Sequence, residues 1–333
     1  MEPLPLEAFV GRCCLVTGGL GFIGSNLALW LAREGARVTV VDAGYPRHGA
    51  NPHNLDAPGG ADVQVIHADL GDSTARAAAA EAEIVFNLAG QVSHIDSMLD
   101  PIFDLEVNTR SHVAMLEGLR HDNPEVIVVY SSTRQLFGKP RYLPVDEDHP
   151  VAPVDVNGIT KYAAEQFHLL YGEYYGLRAT VVRLTNVYGP RQRLRDDYQG
   201  FLPIFVRRAL LGEAIRVFGD GAQERDCLYV DDVVECLVRA AVAPEAIGEV
   251  FNVGNDEHLS LREIAEAVAR TAASVGGVGF VPWPAERDAI DIGSYFGDSS
   301  KAKRLLGWTP STRFDDGIAR TLDFYRRHRE WYL

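Results

Sequence analysis

At 333 residues, with 47% hydrophobic and 23% charged side chains, the chain has enough apolar material for a packed core and too much for a disordered one. A formal charge of -14 excludes nucleic acid and anionic membrane as natural partners, so a small anionic ligand would need local Arg or Lys. No apolar run approaches the ~18 residues of a membrane span, and Met1–Arg12 carries no basic-then-apolar leader, so a cytoplasmic location is expected.

Short β-branched runs alternate with amphipathic stretches through the first half, the pattern of βαβ units around a parallel sheet. Strands are expected at Cys13–Thr17, Arg37–Val41, Val63–His67, Ile84–Asn87, Val126–Tyr130 and Ala179–Leu184, each short and apolar as strands covered on both faces are. Helices are expected over Ile23–Glu34, Asp104–Leu119 and Thr160–Tyr175, and the Ala-rich Ala75–Ala82 reads as a surface helix. After about Asn186 the regularity weakens. Turn-rich stretches at Gly189–Gly200 and Val281–Gly297 interrupt shorter elements, while Glu249–Val253 is expected to return one strand to the main sheet. The four cysteines, Cys13, Cys14, Cys227 and Cys236, have no metal-ligand spacing, so reduced packed thiols and no metal site are expected.

Directly after the first strand comes Gly18-Gly19-Leu20-Gly21-Phe22-Ile23-Gly24, followed at once by a helix. Gly18, Gly21 and Gly24 permit a tight turn, close approach of backbone to a pyrophosphate, and close helix–strand packing, while the helix N-terminus offers oriented N–H groups to the phosphates. The second strand ends at Asp42, ~20 residues on, where a carboxylate accepts from both ribose hydroxyls and repels a 2′-phosphate. NAD is therefore expected over NADP, with Arg47 the one nearby cation that would argue otherwise. Asp69-Leu70 and Leu88-Ala89 follow the next two strands at the carboxyl edge of the sheet, where such folds bind ligands, and the Pro- and Gly-rich Ala43–Asp62 is expected beside the adenine. The fold class expected is α/β, a Rossmann doubly wound parallel sheet over residues 1–185 with a smaller C-terminal substrate-binding lobe over 186–333.

Together with Thr133, Lys161, the run Arg183 to Pro190, and Gly219-Asp220-Gly221 through Arg225-Asp226, these residues resemble the nucleotide-sugar epimerase/dehydratase branch of the extended short-chain dehydrogenases/reductases, from Cys13 to Trp308. The resemblance implies a bound NAD that takes a hydride from a sugar carbon and later gives it up, and a nucleotide-diphosphate sugar as substrate. It implies that Thr133 is the catalytic hydroxyl, that Lys161 holds the nicotinamide ribose, and that Asn186, Arg225 and Arg287 serve the substrate phosphates, with Arg191 also among the substrate-binding residues. A homodimer through a helical bundle would fit it.

Two departures stand out. Dehydratases of this kind carry Asp and Glu after the catalytic hydroxyl, whereas Arg134 and Gln135 follow here. Neither trades protons near neutral pH, which favours epimerisation, and Arg134 is a candidate for an anionic substrate group. The other departure concerns the base, which in the family is a Tyr four residues before the Lys. That position is Asn157, whose amide orients a hydroxyl or a water but accepts no proton. Asn157 is kept with Thr133 and Lys161 in the catalytic set, and the base is sought among Thr133 acting through water, Tyr142, His94, Asp96 and Asp155. An NAD-dependent nucleotide-sugar epimerase is the leading expectation. A dehydratase or decarboxylase on the same scaffold, or a non-catalytic NAD-responsive binding protein, is the alternative.

Overall fold

Leu15 and Val16 are strand neighbours, so their side chains point to opposite faces, and both are buried. Leu15 joins Val41, Val85 and Val128 in one core, and Val16 joins Val40, Phe86 and Val129 in another. A strand buried on both sides belongs inside a covered parallel sheet. The computed structural model, which describes residues 6–195, 200–284 and 291–333, has that sheet.

In chain order the elements are β1 (Cys13–Thr17), α1 (Phe22–Arg33), β2 (Arg37–Asp42), β3 (Gln64–His67), α2 (Ser73–Ala80), β4 (Ile84–Asn87), α3 (His94–Leu99) and α4 (Pro101–Leu105). A π-helical turn at Glu106–Arg110 leads into α5 (Ser111–Asp122), β5 (Ile127–Thr133), α6 (Val156–Tyr175) and β6 (Arg178–Leu184). Then come β7 (Asn186–Tyr188), α7 (Phe201–Leu211), β8 (Ile215–Phe218), β9 (Glu224–Arg225), β10 (Cys227–Tyr229), α8 (Val230–Val242) and β11 (Val250–Val253). Last are β12 (Leu259–Ser260), α9 (Leu261–Ala272), β13 (Val278–Val281), α10 (Ser300–Leu306), α11 (Phe314–Arg327) and α12 (Arg329–Tyr332). Seven parallel strands run in the order β11-β6-β5-β4-β1-β2-β3. The chain moves outward from β1 to β3, then reverses to β4, and this switch opens a crevice at the carboxyl ends of β1 and β4.

Three boundaries differ from the expectation in ways that matter for the site. β5 runs on to Thr133 because Ser131, Ser132 and Thr133 pair with Val182, Arg183 and Leu184 of β6, although the sequence there is polar. α6 starts at Val156 because the Asp155 side chain caps it, accepting from Gly158 N at 2.7 Å, which brings Asn157 inside the first turn. The helix expected from Asp104 begins instead at Pro101, with Asp100 accepting from Phe103 N at 3.1 Å. The Ala-rich helix is not merely on the surface, since Ala75 and Ala79 are buried against the sheet.

More of the second half returns to the first core than β11 alone. α8 packs on α1, and Ala302, Leu306 and Trp308 join the same apolar cluster. A separate core formed by α7, α9 and α11 supports β8 and β13. Among the described residues no helix is long and apolar enough to cross a membrane, and no group of three His, Cys, Asp or Glu side chains is placed to hold a metal ion.

Candidate active site

The crevice is closed at its floor by Thr17, whose hydroxyl donates to Asn87 Oδ1 at 2.8 Å and accepts from Leu88 N and Ala89 N, each at 3.1 Å. It opens into a cavity of about 520 Å³. Gly18, Gly21, Phe22, Ile23, Gly24, Asp42, Asp69, Leu70, Leu88, Ala89 and Lys161, the residues expected to hold the cofactor, all line it. Thr133, Arg134, Asn157, Asn186 and Arg225 line it too.

The glycine turn is a cradle that side chains would fill. A Cβ on Gly24 would stand 2.3 Å from Gly18 O, and one on Gly18, at φ +68°, would stand 2.9 Å from Leu88 O. Gly19 is equally constrained, with Val40 at 2.5 Å from its would-be Cβ, a need that only the packing of the turn on β2 reveals. Asp42 accepts from Leu20 N at 3.0 Å and Gly44 N at 2.8 Å. Burial raises its pKa while those two amides oppose the shift, and its carboxylate faces the cavity. Arg47 bonds Asp96 at 3.0 Å and is not part of the cavity wall, which leaves the acid in charge of the ribose end. The backbone cradle, helix N-terminus and terminal acid fit a dinucleotide.

Lys161 reaches the cavity because Gly90, at φ +148°, has no Cβ in its way; one there would lie 2.8 Å from Nζ. Burial brings the Lys161 pKa down to about 8, with Asp104 opposing. Asp104 itself is buried and accepts from Thr160 Oγ1 and from Asn157 Nδ2 at 3.2 Å. Asn157 Nδ2 also donates to Gln91 O at 2.9 Å, and its Oδ1 is buried without a partner among the described residues. Gln91 and Asp104 are not legible as site residues in the sequence, since their roles depend on how the β4 loop and α4 meet α6.

At the other end, Thr133 Oγ1 accepts from Gln135 N at 3.2 Å, which leaves the hydroxyl proton free to point into the cavity. The Arg134 guanidinium lies 4.9 Å over the Tyr295 ring and touches Asn186 Oδ1 at 3.5 Å. Arg225 donates to Glu224 O at 2.7 Å and Gly293 O at 2.6 Å. Among the described residues neither arginine has an ion-pair partner, and burial followed by repulsion from Arg134 lowers the Arg225 pKa to about 10. Two close, desolvated cations with no carboxylate among the described residues bonded to either form an anion site, and Asn186 Nδ2, buried and without a partner among those residues, adds a donor.

The expected substrate set is not brought together whole. Arg191 points away, donating to Asn54 O at 3.0 Å and Asn26 Oδ1 at 2.9 Å beneath the Phe324 ring, so it braces the fold rather than the cavity. Arg287 lies outside the described residues. Asp231 and Asp232 sit in the first turn of α8, and Asp232 accepts from Ser311 N at 3.2 Å and Thr312 N at 3.1 Å.

Of the proposed bases, Tyr142 is 43% exposed, bonds Asp146 at 2.6 Å and stands off the cavity, and Asp96 is turned to Arg47. Thr133 acting through water, His94 and Asp155 remain on the cavity wall, and the last two are bonded to one another. Burial works against the Asp155 charge, yet the His94 bond, the Gly158 N–H and Arg134 hold its pKa below the usual carboxylate range.

The sequence matches the NAD-dependent epimerase/dehydratase family over residues 14–254. The chain belongs to that family. A UDP-glucose 4-epimerase from Mycolicibacterium smegmatis is 34% identical over 94% of this chain and 98% of its own length. A dTDP-glucose 4,6-dehydratase from Streptomyces griseus is 31% identical over 96% of this chain and 95% of its own, and sugar-nucleotide decarboxylases lie at similar distance. The solved UDP-glucose 4-epimerase of Thermotoga maritima with UDP-glucose superposes with a TM-score of 0.85 at 29% identity, covering 95% of this chain and 99% of that one. NAD is the cofactor of the epimerase/dehydratase family, and the glycine cradle and Asp42 described above suit it.

Proposed function

We propose that this chain is an NAD-dependent epimerase of nucleotide-diphosphate sugars. The observation that carries the reading is the wall beside Thr133, where Arg134 and Gln135 stand in place of the two acids that would expel water. Bound NAD supplies reversible hydride acceptance, which turns a sugar carbinol into a ketone and back. This chain's residues do the rest. Thr133 donates to the oxygen of the reacting carbon, Lys161 holds ribose hydroxyls and adds positive charge beside the proton to be lost, and Arg225 with Asn186 anchors the diphosphate. With the nucleotide fixed and the sugar ring free to turn, the ketone presents its other face before the hydride returns.

A decarboxylase is the second reading, favoured by one feature: Arg134 follows Thr133 directly and is a desolvated cation suited to a sugar carboxylate. Product mass separates the readings. Incubated with UDP-, dTDP- and GDP-linked hexoses and hexuronates, the purified protein with NAD is expected to give a product isobaric with its substrate and inverted at one centre. Loss of water or carbon dioxide would replace the epimerase reading with a lyase. NAD binding without conversion of any of them would leave a binding protein.

A further inference from the structure

The family's phenolic base is absent, and the structure shows what surrounds the gap. His94 Nδ1 bonds the Asp155 carboxylate, and His94 Nε2 lies 2.8 Å from Gln135 Nε2. A carboxylate accepts only, so Nδ1 carries the proton, and the Nε2 lone pair faces the Gln135 amide N–H. The His94 side chain is 36% exposed while Asp155 is 1% exposed, so the ring is reachable from the cavity and its orienting acid is not. This is the arrangement of a base held in one tautomer by a buried carboxylate.

Asn157 takes part indirectly. Its amide donates to Gln91 O, and Gln91 Nε2 donates to Ser93 O at 3.0 Å, so the residue in the phenol's position holds the loop that delivers His94. Gln135 is adjacent to Arg134 in the turn after Thr133, which puts the His94 lone pair on the same wall as the hydroxyl that orients the substrate.

We propose that His94, oriented by Asp155, takes and returns the proton of the reacting sugar hydroxyl in place of the missing phenol. The proposal rests on the epimerase reading. Without substrate, the Gln135 N–H occupies the place of a hydrogen-bond donor to Nε2, and a sugar O–H displaces it there. The O–H bond breaks and the Nε2–H bond forms as the carbon's hydride leaves for NAD, giving a ketone and an imidazolium paired with Asp155. The reverse step breaks Nε2–H and restores the alcohol on the other face, so no net oxidant is consumed. Gln135 Oε1, buried and without a partner among the described residues, can turn to accept from the imidazolium meanwhile.

The test compares NAD-loaded wild type with His94→Asn and His94→Ala against UDP-, dTDP- and GDP-linked hexoses. Asn keeps a donor near the Nδ1 position, so Asp155 keeps its partner. The proposal expects NAD and nucleotide-sugar affinities within about threefold of wild type, turnover and transient reduced nicotinamide down by about 100-fold or more, and partial rescue of His94→Ala by added imidazole. Turnover by His94→Asn within about fivefold of an active wild type overturns the proposal and leaves the epimerase reading intact. Loss of turnover matched by loss of sugar-nucleotide binding, with no imidazole rescue, makes His94 a structural cap and also overturns it. A wild type that converts none of these sugars overturns the epimerase reading, and the proposal falls with it.

Discussion

Lys161 works near the edge of its ionisation range, since burial has lowered its pKa to about 8 against the pull of Asp104. If its ammonium holds the cofactor ribose, NAD affinity is steady below that value and weakens as pH rises through it, because the neutral amine loses a charge-assisted bond. Lys161→Arg should bind more weakly but flatly with pH, since a guanidinium keeps its proton. Calorimetry a unit below and a unit above the Lys161 pKa checks this, and equal wild-type affinity at both would contradict it. The same shift acts on folding with the opposite slope. The unfolded chain holds that proton up to 10.5, so between about 8 and 10.5 this group makes the empty protein more stable as pH rises. Asp42 and the glycines were legible in the sequence because each occupies a fixed spacing from a strand, and Lys161 because it matches the lysine of the family that the chain resembles. The partners of Asn157 were not, because Gln91 and Asp104 reach it only through tertiary packing.

The first βαβ unit is the element on which the cofactor site depends. Gly24→Ala places a methyl 2.3 Å from Gly18 O, and no flexible side chain is there to give way. The variant should lose measurable NAD binding while circular dichroism stays close to wild type, and retained affinity would sink the cradle argument. α6 is tied to the sheet differently. Glu165, fully buried, accepts from Arg183 Nη2 at 2.6 Å and from Ser132 Oγ at 2.6 Å, spanning α6, β6 and β5. Glu165→Gln leaves a guanidinium uncompensated and should lower unfolding free energy by about 3 kcal/mol, read by denaturant titration. A change below about 1 kcal/mol would mean that water takes up the charge. The six strands expected in the first half all form, each end within one residue of expectation except the end of β5. The informative miss is the end of β5, where three polar residues expected beyond the strand pair with β6 and carry Thr133 to the site.

At the scale of the whole molecule, charge and hydropathy settled the broad class, and the alternation of strand and helix settled the doubly wound sheet. The returning packing of α8 and α10 was less legible, because nothing local distinguishes an apolar helix that covers the main sheet from one that builds a second core. α3 and α4 pack beside α6, and Met98, Leu99, Ile102 and Ile159 on these helices are each more than half exposed. We propose that a second copy covers this face. Light scattering should give twice the chain mass, and Ile102→Glu with Ile159→Glu should give a monomer; a monomeric wild type at micromolar concentration would refute it.

The central claim is that hydride leaves one sugar carbon and returns to the same carbon from the other face. A substrate hexose bearing deuterium on its ring carbons, linked to its nucleotide and incubated with NAD-loaded protein in light water, tests this in one NMR spectrum. The account predicts an epimer of unchanged composition with deuterium retained at the inverted carbon. Deuterium lost to solvent at that centre, moved to another carbon, or found in a product lacking water or carbon dioxide would contradict it.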